Sequence, residues 1–315
     1  ADPRFAFRYG FYLDADSPCL DAGGGTLADA GLSGTTTRAD GTADTDAIDI
    51  GYHYPAGFQP ATLYVSPAGS DSGDGTEESP FKTLAKAFSA ARGGETIRLA
   101  AGTYSQATGE RFPFTRANWV AGVSVAGTNR ELTRISAAHG SARLFDFSYI
   151  PYASLEGVTL ADANLRLHAT GGTGLMATGV ELLEVTDCVF ANLRVGWDGY
   201  HAQYGAGLYQ TCGKAFLTDC VFSNNVAETG GKGGALCSVN AVLSASRCVF
   251  AGNQSINGTG GAIHLEGGVT GLTNVLAAGN NADAGGDARR RPSRAPTMSG
   301  ARGHSHRPLE GWGVA

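Results

Sequence analysis

Four short segments of one pattern decide the fold of this chain: Thr186–Phe190 (TDCVF), Thr218–Phe222 (TDCVF), Ser246–Phe250 (SRCVF) and Thr273–Ala277 (TNVLA). Their third residues lie at positions 188, 220, 248 and 275, so the pattern recurs after 32, 28 and 27 residues. A weaker copy, Leu155–Leu160, lies about one repeat earlier. Repeats of this length indicate a solenoid, in which each repeat forms one turn and stacks on its neighbours.

Other residues recur in the same phase as these segments. Apolar residues within the repeat alternate with polar ones, as in β-strands, and show no helical period. Stacked strands lie about 4.8 Å apart, so equivalent residues form columns along a β-solenoid. The predicted columns are an inward one of Cys188, Cys220 and Cys248, one of Phe190, Phe222 and Phe250, an asparagine ladder of Asn225, Asn253 and Asn280, and one of Met176, Leu208, Leu236 and Ile263.

Composition and charge exclude several other classes of protein. Glycine supplies 47 of 315 residues and only 17% are charged, which excludes coiled coils and helical bundles. No apolar run approaches the ~18 residues of a transmembrane helix, so none is predicted. The net charge is −6, and six arginines of residues 289–315 offset a more acidic body. An acidic body predicts no nucleic-acid partner, because binding to phosphates needs Lys and Arg.

Residues 61–105 differ from the repeats and predict a cap. Thr62–Pro67 has the pattern of a strand, and Ser79 with Pro80 has the pattern of a helix N-cap followed by a first-turn proline. An amphipathic helix is predicted near residues 81–92, ending at Gly93–Gly94, with one apolar face formed by Phe81, Leu84, Phe88 and Ala91. Such a helix would cover the open edge of the first turn.

Specific motifs in the cap and in the repeats resemble those of known families. The segments YVSP (64–67), GDGT (73–76), SPFKT (79–83) and AGTY (101–104) resemble the opening cap of pectate-lyase-like right-handed β-helix proteins, many of them secreted by bacteria, and the start of the family 9 polysaccharide lyases. The pairs Phe222/Asn225 and Phe250/Asn253 with GGAL and GGAI resemble the repeats of polymorphic outer-membrane proteins. The resemblance implies an all-β, right-handed parallel β-helix (β-solenoid) with one N-terminal capping α-helix. It also implies a protein that is secreted or displayed at the cell surface or outer membrane.

Three regions are predicted. Residues 61–285 form the β-helix with its cap, and residues 1–60 resemble the closing segment of a preceding β-helix module, through Ser17–Gly23 and Asp46–Tyr54. A closing motif ahead of an opening one suggests a longer tandem array, whose neighbouring modules would be partners. Residues 286–315 are predicted as a disordered basic tail, or alternatively as an out-of-frame end.

A lyase would need a base and, in the pectate-lyase family, Ca²⁺ held by oxygen ligands. Lys214 and Lys232 are the candidate bases, although the family 9 aspartate cluster and lysine motif are not recognisable. A hydrolase would need paired carboxylates, and Asp187 and Asp219 share one column. Arg247 follows them in that column, so a solvated ladder of charges is the alternative explanation.

The longest repeat carries about four extra residues between Phe190 and Leu208. Insertions in solenoids form loops on one face, often the binding face. This stretch supplies the candidate glycan-binding residues Trp197, Asp198, Tyr200, His201 and Tyr204. The alternative is that the aromatic rings fold back over the flank of the solenoid.

Two acid-rich loops are candidate Ca²⁺ sites. One contains Asp71 and Asp74, and the other contains Asp40, Asp44, Asp46 and Asp49. Neither has EF-hand spacing, and Asx-turns are the alternative. Cys212 and Cys237 are a candidate disulfide between adjacent turns.

The residues and the resemblance together favour a secreted or surface-displayed scaffold that binds polysaccharide, cell-surface glycans or other surfaces without cleaving them. The alternative is a pectate-lyase-like polysaccharide lyase or a glycoside hydrolase that acts on an acidic polysaccharide. A structural stalk in a tandem array would bind no glycan at all.

Overall fold

The repeated segments stack as successive turns of a right-handed parallel β-helix, which confirms the predicted fold. The computed structural model describes residues 12–13, 16–38, 41–45, 47–51, 53–55, 61–92, 94–117, 122–166, 171–196, 203–228, 230–283 and 298–303. A complete turn contributes to each of three sheets, so strands that lie one repeat apart in the sequence pair in parallel with each other. None of the helices in these ranges is long and apolar enough to span a membrane.

The strands divide among the sheets in a fixed order. The first sheet stacks β3 (Thr62–Val65), β4 (Thr96–Leu99), β7 (Val123–Gly127), β10 (Tyr152–Glu156), β13 (Leu182–Thr186), β16 (Lys214–Thr218), β20 (Val242–Ser246) and β24 (Val269–Ala278). The second stacks β5 (Gly102–Ser105), β8 (Thr133–Ser136), β11 (Thr159–Leu165), β14 (Val189–Val195), β17 (Val221–Ser223) with β18 (Val226–Ala227), β21 (Val249–Ala251) with β22 (Gln254–Ser255), and the end of β24 with β25 (Asn281–Ala282). The third stacks β6 (Phe114–Ala117), β9 (Phe145–Ser148), β12 (Leu175–Thr178), β15 (Leu208–Thr211), β19 (Leu236–Val239) and β23 (Ile263–Glu266).

The predicted inward columns form the core of the later turns. Cys188, Cys220 and Cys248 are fully buried. The rings of Phe190 and Phe222 stack with centroids 4.5 Å apart, and those of Phe222 and Phe250 with centroids 4.8 Å apart. These separations match the strand spacing, so each ring contacts its equivalents in the adjacent turns. The cysteines therefore act as small buried hydrophobes, as predicted.

The asparagine ladder is also present as predicted. The Asn253 Oδ1 atom accepts hydrogen bonds from the backbone N–H of Asn225 at 3.0 Å and from its Nδ2 at 2.9 Å. Asn280 Oδ1 accepts the same pair of bonds from Asn253, at 2.9 and 2.8 Å. Each Nδ2 also donates to the carbonyl oxygen of the phenylalanine one turn earlier, such as Phe222 for Asn253 at 2.9 Å. The three asparagines are buried, and the ladder thus satisfies polar groups that the fold removes from solvent.

The capping helix α1 (Leu84–Ala90) starts later than the sequence pattern predicts. The N-cap is Thr83, whose side chain accepts a bond from the Lys86 N–H, and the predicted N-cap at Ser79 is wrong. The backbone at Phe81 instead pairs with the first strand, since its N–H donates to the Tyr64 oxygen at 2.9 Å. That pairing fixes an extended conformation, so no helical turn can form before Thr83.

Helix α1 covers the first turns of the solenoid, as predicted. Leu84, Ala87 and Phe88 are buried, and the Phe88 ring stacks on Phe114 of the third sheet with centroids 5.6 Å apart. The helix ends at Ala90 with Ala91 as its C-cap, so the predicted end at Gly93–Gly94 is wrong, and Gly94 lies beyond the helix with a φ of 86°. Burial of this apolar face closes one end of the core.

One predicted column is displaced by a residue. Leu175, and not Met176, is in register with Leu208, while Met176 pairs with Tyr209 on the outer surface. The turn between β12 and β13 holds one residue more than the corresponding turn after β15, because Leu182 is in register with Lys214. The fixed distance between this column and the cysteine column in the later turns therefore assigns Met176, where the structure has Leu175.

The two ends of the chain are described only in part. Before the cap, β1 (Thr35–Thr36) pairs antiparallel with β2 (Tyr54–Pro55). Within the predicted basic tail, β26 (Met298–Gly303) pairs antiparallel with β24, and residues 284–297 and 304–315 lie outside the described ranges. The assignment of residues 1–60 to a preceding module stays a prediction.

The predicted pairing of Cys212 with Cys237 is wrong, because both are free thiols. Cys237 is in register with Tyr209, which places Cys212 three residues farther along the neighbouring strand. Cys212 is exposed at a turn, whereas Cys237 is fully buried.

Candidate functional site

Aromatic and charged side chains meet on the outer surface of the third sheet. Isolated backbone bridges align Tyr204 with Lys232 of the next turn. The Tyr204 ring stacks on Tyr209 with centroids 5.2 Å apart, and Lys232 Nζ lies 5.5 Å from the centre of the Tyr204 ring. Lys232 Nζ donates to Glu266 Oε2 at 2.9 Å. We call Tyr204, Tyr209, Lys232 and Glu266 the tyrosine–lysine cluster.

Strand alternation and register bring this cluster together. Leu208 and Gln210 are buried, so Tyr209 between them points outward. Along the same outer column, Tyr209 is followed by Cys237 and His264, which lie buried beneath the cluster. Burial raises the pKa of the Tyr209 phenol to about 12, so the hydroxyl keeps its proton at neutral pH.

The electrostatics of the cluster favour a fixed ion pair. The hydrogen bond to Glu266 raises the pKa of Lys232, and the same bond lowers the pKa of Glu266. His264 lies 3.8 Å from Glu266 through Nε2, and burial lowers its pKa. The cluster therefore presents one ammonium group and one carboxylate, both charged at neutral pH, above an uncharged imidazole.

The two phenol groups add hydrogen-bonding capacity beside the ion pair. Among the residues that the structure describes, neither the Tyr204 nor the Tyr209 hydroxyl has a hydrogen-bond partner. Both rings are half-buried, as is Lys232, while Glu266 is exposed. The surface thus combines apolar ring area with two hydroxyls, a cation and an anion that a polar ligand can reach.

Asp187, Asp219 and Arg247 form the predicted outward column. Each adopts a positive φ, between 51° and 56°, at the same tight turn of successive repeats. Arg247 binds Asp219 with both its Nε and Nη2 atoms, at 2.7 and 2.8 Å, which lowers the pKa of Asp219. Arg130 lies 3.2 Å from Asp187. The carboxylates are thus engaged by arginines, as in the ladder of charges that was the alternative prediction.

Lys214 lies apart from these groups. It is the first residue of β16 in the first sheet, in register with Leu182 and Val242, and its side chain is exposed. Lys232 belongs to the cluster on the third sheet. The structure therefore separates the two candidate bases and brings only Lys232 together with another predicted residue, Tyr204.

The rest of the predicted binding loop cannot be placed. Trp197, Asp198, Tyr200 and His201 lie outside the described residues. Gln203 is buried and immediately precedes Tyr204, so residues 197–202 connect the end of β14 to the cluster along the chain. The role of these four residues in binding stays a prediction.

The aspartates of the predicted Ca²⁺ loops take part in local hydrogen bonds. Asp71 accepts bonds from the N–H groups of Lys82 and Thr83 at 2.9 and 2.8 Å, and Asp74 accepts one from the Thr76 N–H at 3.0 Å. Asp71 thus supports the start of α1, and Asp74 forms an Asx-turn. Within the described ranges, no group of three or more His, Cys, Asp or Glu residues is arranged to hold a metal ion.

The second acid-rich loop is partly described, because Asp40 and Asp46 lie outside the described ranges. Asp44 lies 3.1 Å from His53, and Asp49 accepts a bond from the Asp21 N–H at 2.6 Å. Burial raises the pKa of Asp44. These bonds connect parts of the N-terminal segment that lie outside β1 and β2. Ca²⁺ binding by either loop stays a prediction.

Comparison with known proteins places this architecture in a family. A sequence profile described as "Pel9A-like, right handed beta helix region" matches residues 63–231, more than half of the chain. The chain belongs to this Pel9A-like family. Its matched region contains the cap, Tyr204 and Tyr209, and it ends one residue before Lys232.

Individual proteins are similar over parts of this Pel9A-like chain. The uncharacterized protein YwoF of Bacillus subtilis (strain 168) is 31% identical over 131 residues, which cover 37% of this chain and 25% of YwoF. The chain thus spans about a quarter of that relative. The crystal structure of pectate lyase Pel9A matches with a TM-score of 0.37 and 14% identity, over 77% of this chain and 67% of that one. A rhamnogalacturonan lyase matches with a TM-score of 0.31 and 14% identity, over 70% and 68% of the two chains.

Sequence reasoning missed two members of the cluster in this Pel9A-like β-helix, Tyr209 and Glu266. Both lie at fixed distances after repeat landmarks: Tyr209 directly follows Leu208, and Glu266 lies three residues after Ile263. Projecting each repeat onto inward and outward positions would have found them. Their contact with Tyr204 and Lys232 also depends on the register of adjacent turns. The spacing of the repeats predicts that register with an error of about one residue.

Proposed function

We propose that this Pel9A-like β-helix is a secreted or surface-displayed scaffold that binds polysaccharide without cleaving it. The observation that carries the proposal is the stacked pair Tyr204 and Tyr209 beside the ion pair Lys232–Glu266. Membership of a family named after Pel9A, a pectate lyase, supports a polysaccharide as the class of ligand. The resemblance of the cap to modules of secreted proteins supports the location.

The chemistry of the cluster suits a carbohydrate ligand. Sugar rings present apolar C–H faces to aromatic rings, and their hydroxyls both donate and accept hydrogen bonds. The phenols of Tyr204 and Tyr209 can donate, the Glu266 carboxylate can accept, and Lys232 can donate to hydroxyl or carboxylate oxygens. A half-buried surface with a few placed polar groups gives orientation without enclosing the ligand.

Binding without cleavage fits the protonation of Lys232 better than catalysis does. A lysine that acts as a general base must be neutral near the working pH, which requires a lowered pKa. The contact with Glu266 raises the pKa of Lys232 instead, which keeps the amine protonated. The paired carboxylates of the alternative hydrolase, Asp187 and Asp219, are held by arginines. These contacts support the scaffold over the lyase or hydrolase.

The test is a binding titration with a panel of plant and bacterial polysaccharides. We expect Tyr204→Ala and Lys232→Met each to weaken binding of the preferred polymer at least about tenfold, which corresponds to about 1.4 kcal/mol. Matched controls are Tyr149→Ala, which removes an exposed tyrosine elsewhere, and Lys214→Met, which removes an exposed lysine of the first sheet. Unchanged binding by both cluster variants would contradict the proposal.

An activity assay separates the scaffold from the lyase. We expect no unsaturated product, measured by ultraviolet absorbance, from pectic or other uronic-acid polymers in the presence of Ca²⁺. Product that disappears with a chelator and in Lys232→Met would establish a lyase instead. Secretion is tested by fractionating producing cells, where recovery only in the cytoplasm would contradict display outside the cell.

A further inference from the structure

We propose that a groove at the helix-capped end of the β-helix is a separate site for sugars that carry a carboxylate or a sulfate group. The groove has a volume of about 500 Å³ and crosses β3, β4 and β7 of the first sheet. Tyr64, Glu77, Arg98 and Thr128 supply its polar lining. It lies on a different sheet and on different turns from the tyrosine–lysine cluster, so it does not depend on the function proposed for that cluster.

Register places Arg98 at the centre of this groove. Ile97 and Leu99 are buried, so Arg98 between them points outward. Its neighbours in the same outward column are Tyr64 on one side and Ala126 on the other. The small side chain of Ala126 leaves the space beside the guanidinium open, and the ring of Tyr64 forms the opposite side.

Arg98 differs from most arginines of the solenoid because its guanidinium is unengaged. Within the described residues it makes no ion pair and no side-chain hydrogen bond. Five other arginines each pair with a carboxylate: Arg130 with Asp187, Arg134 with Asp162, Arg143 with Asp146, Arg194 with Glu228 and Arg247 with Asp219. In an acidic protein, an unpaired guanidinium that lines a groove is an available receptor for an anion.

The donor set of the groove defines the class of ligand. A guanidinium binds planar carboxylates and sulfates through two parallel hydrogen bonds, which gives direction as well as charge. Tyr64 offers apolar ring area to the face of a sugar. Thr128 Oγ1 donates to the Leu99 carbonyl oxygen at 3.2 Å, so its free lone pairs can accept a bond from a sugar hydroxyl. A volume of this size is within the range of small-ligand sites, roughly 300–1,000 Å³.

Glu77 shares the groove and opposes an anionic ligand. Its side chain is exposed, and among the described residues it forms no ion pair with Arg98. Its charge lowers the affinity of the site for carboxylates and sulfates by direct repulsion. Changes at two residues of the groove should therefore have opposite effects. Loss of Arg98 should weaken the binding of an anionic sugar, and neutralisation of Glu77 should strengthen it.

The experiment uses the full chain carrying Lys232→Met, in which binding at the cluster is already weakened, and compares each groove variant within that background. Polygalacturonate supplies carboxylates, dextran sulfate supplies sulfates and dextran is neutral. We expect Arg98→Ala to weaken binding of one or both anionic polymers at least tenfold, Arg98→Lys to weaken it less, and Glu77→Gln to strengthen it. Arg92→Ala, which removes an exposed arginine outside the groove, is the matched control and should change nothing.

Each result decides the proposal. A loss confined to polygalacturonate identifies a carboxylate ligand, and a loss confined to dextran sulfate identifies a sulfate ligand. Unchanged binding in Arg98→Ala would overturn the site. Equal losses in Arg98→Ala and Arg92→Ala would overturn it too, because they would show only a general attraction between opposite charges. Failure of the Lys232→Met protein to bind either anionic polymer would overturn it as well, whatever the outcome at the cluster. Because Arg98 is exposed, its variants should keep the wild-type unfolding temperature, which is measured alongside.

Discussion

The two ends of the solenoid build their cores differently. In the turns that hold β14, β17 and β21, identical core side chains stack on one another, as in Phe190, Phe222 and Phe250. At the capped end the core is an irregular aromatic cluster, in which Phe88 of α1 packs on Phe114 and Phe147 of the third sheet with centroids 5.6 and 6.4 Å apart. One core repeats, and the other does not.

The difference follows from what each residue contacts. In a middle turn, the neighbours above and below are equivalent positions, so a side chain that fits once fits again in the next turn. At the capped end one neighbour is a helix, and the other is a strand. Non-equivalent neighbours select different side chains at each position, which removes the repeat from the sequence while keeping the packing dense.

The largest expected effect breaks the repeated core at its middle. Phe222→Ala should lower the free energy of unfolding by about 3–5 kcal/mol, because it removes a fully buried ring. Phe250→Ala should cost about 1 kcal/mol less, since Phe250 stacks on one ring and Phe222 stacks on two. Urea denaturation of both variants measures the difference. Equal costs would show that stacking along the column adds nothing beyond burial.

The asparagine ladder offers a second way to break the repeated half. Asn253→Ala removes the oxygen that accepts two bonds from Asn225 and leaves those donors buried. Each buried donor without a partner costs about 1–3 kcal/mol, so the variant should lose about 3 kcal/mol in the same denaturation experiment. Asn281→Ala is the matched control, because Asn281 is exposed and, within the described part of the chain, its side chain bonds to Asp283 alone. A loss no larger than that of the control would show that the ladder is not stabilising.

The capped half should respond to pH through Glu110. This buried carboxyl accepts bonds from the N–H groups of Leu84 and Ala85, yet burial raises its pKa from 4.5 to about 7. The folded protein thus holds a proton that the unfolded chain releases. The stability contributed by this proton is fully present below pH 4.5 and is lost as the pH rises through about 7.

The comparison with Glu110→Gln isolates this effect. We expect the wild type to lose stability relative to the variant between pH 4.5 and 7, because the amide of the variant does not titrate. Thermal unfolding across that range measures the difference between the two proteins. Parallel curves for both proteins would contradict the assignment, as would a wild type that gains stability relative to the variant as the pH rises.

The site shows how far prediction from residues reaches. Tyr204 and Lys232 were each singled out, one as a binding residue and one as a base, because insertions and lysines at turns are recognisable in the sequence. The sequence did not predict that Tyr204 and Lys232 contact each other. It also did not predict that Glu266 raises the pKa of Lys232, which works against a role as a base. The sequence does not distinguish a lysine that acts as a base from one that stays protonated in an ion pair, because the surroundings of the amine in the folded protein set its pKa.

The period of about 27–32 residues was enough to establish the β-helix, its cysteine and phenylalanine columns and its asparagine ladder. Stacked turns place equivalent residues in identical surroundings, so the pattern of the chain carries the pattern of the core. Three other features came from contacts between residues far apart in the chain: the start of α1 at Thr83, the register of Leu175 with Leu208, and the open guanidinium of Arg98. Each depends on which backbone or side chain is adjacent in the next turn, and that choice is made only when the turns pack together.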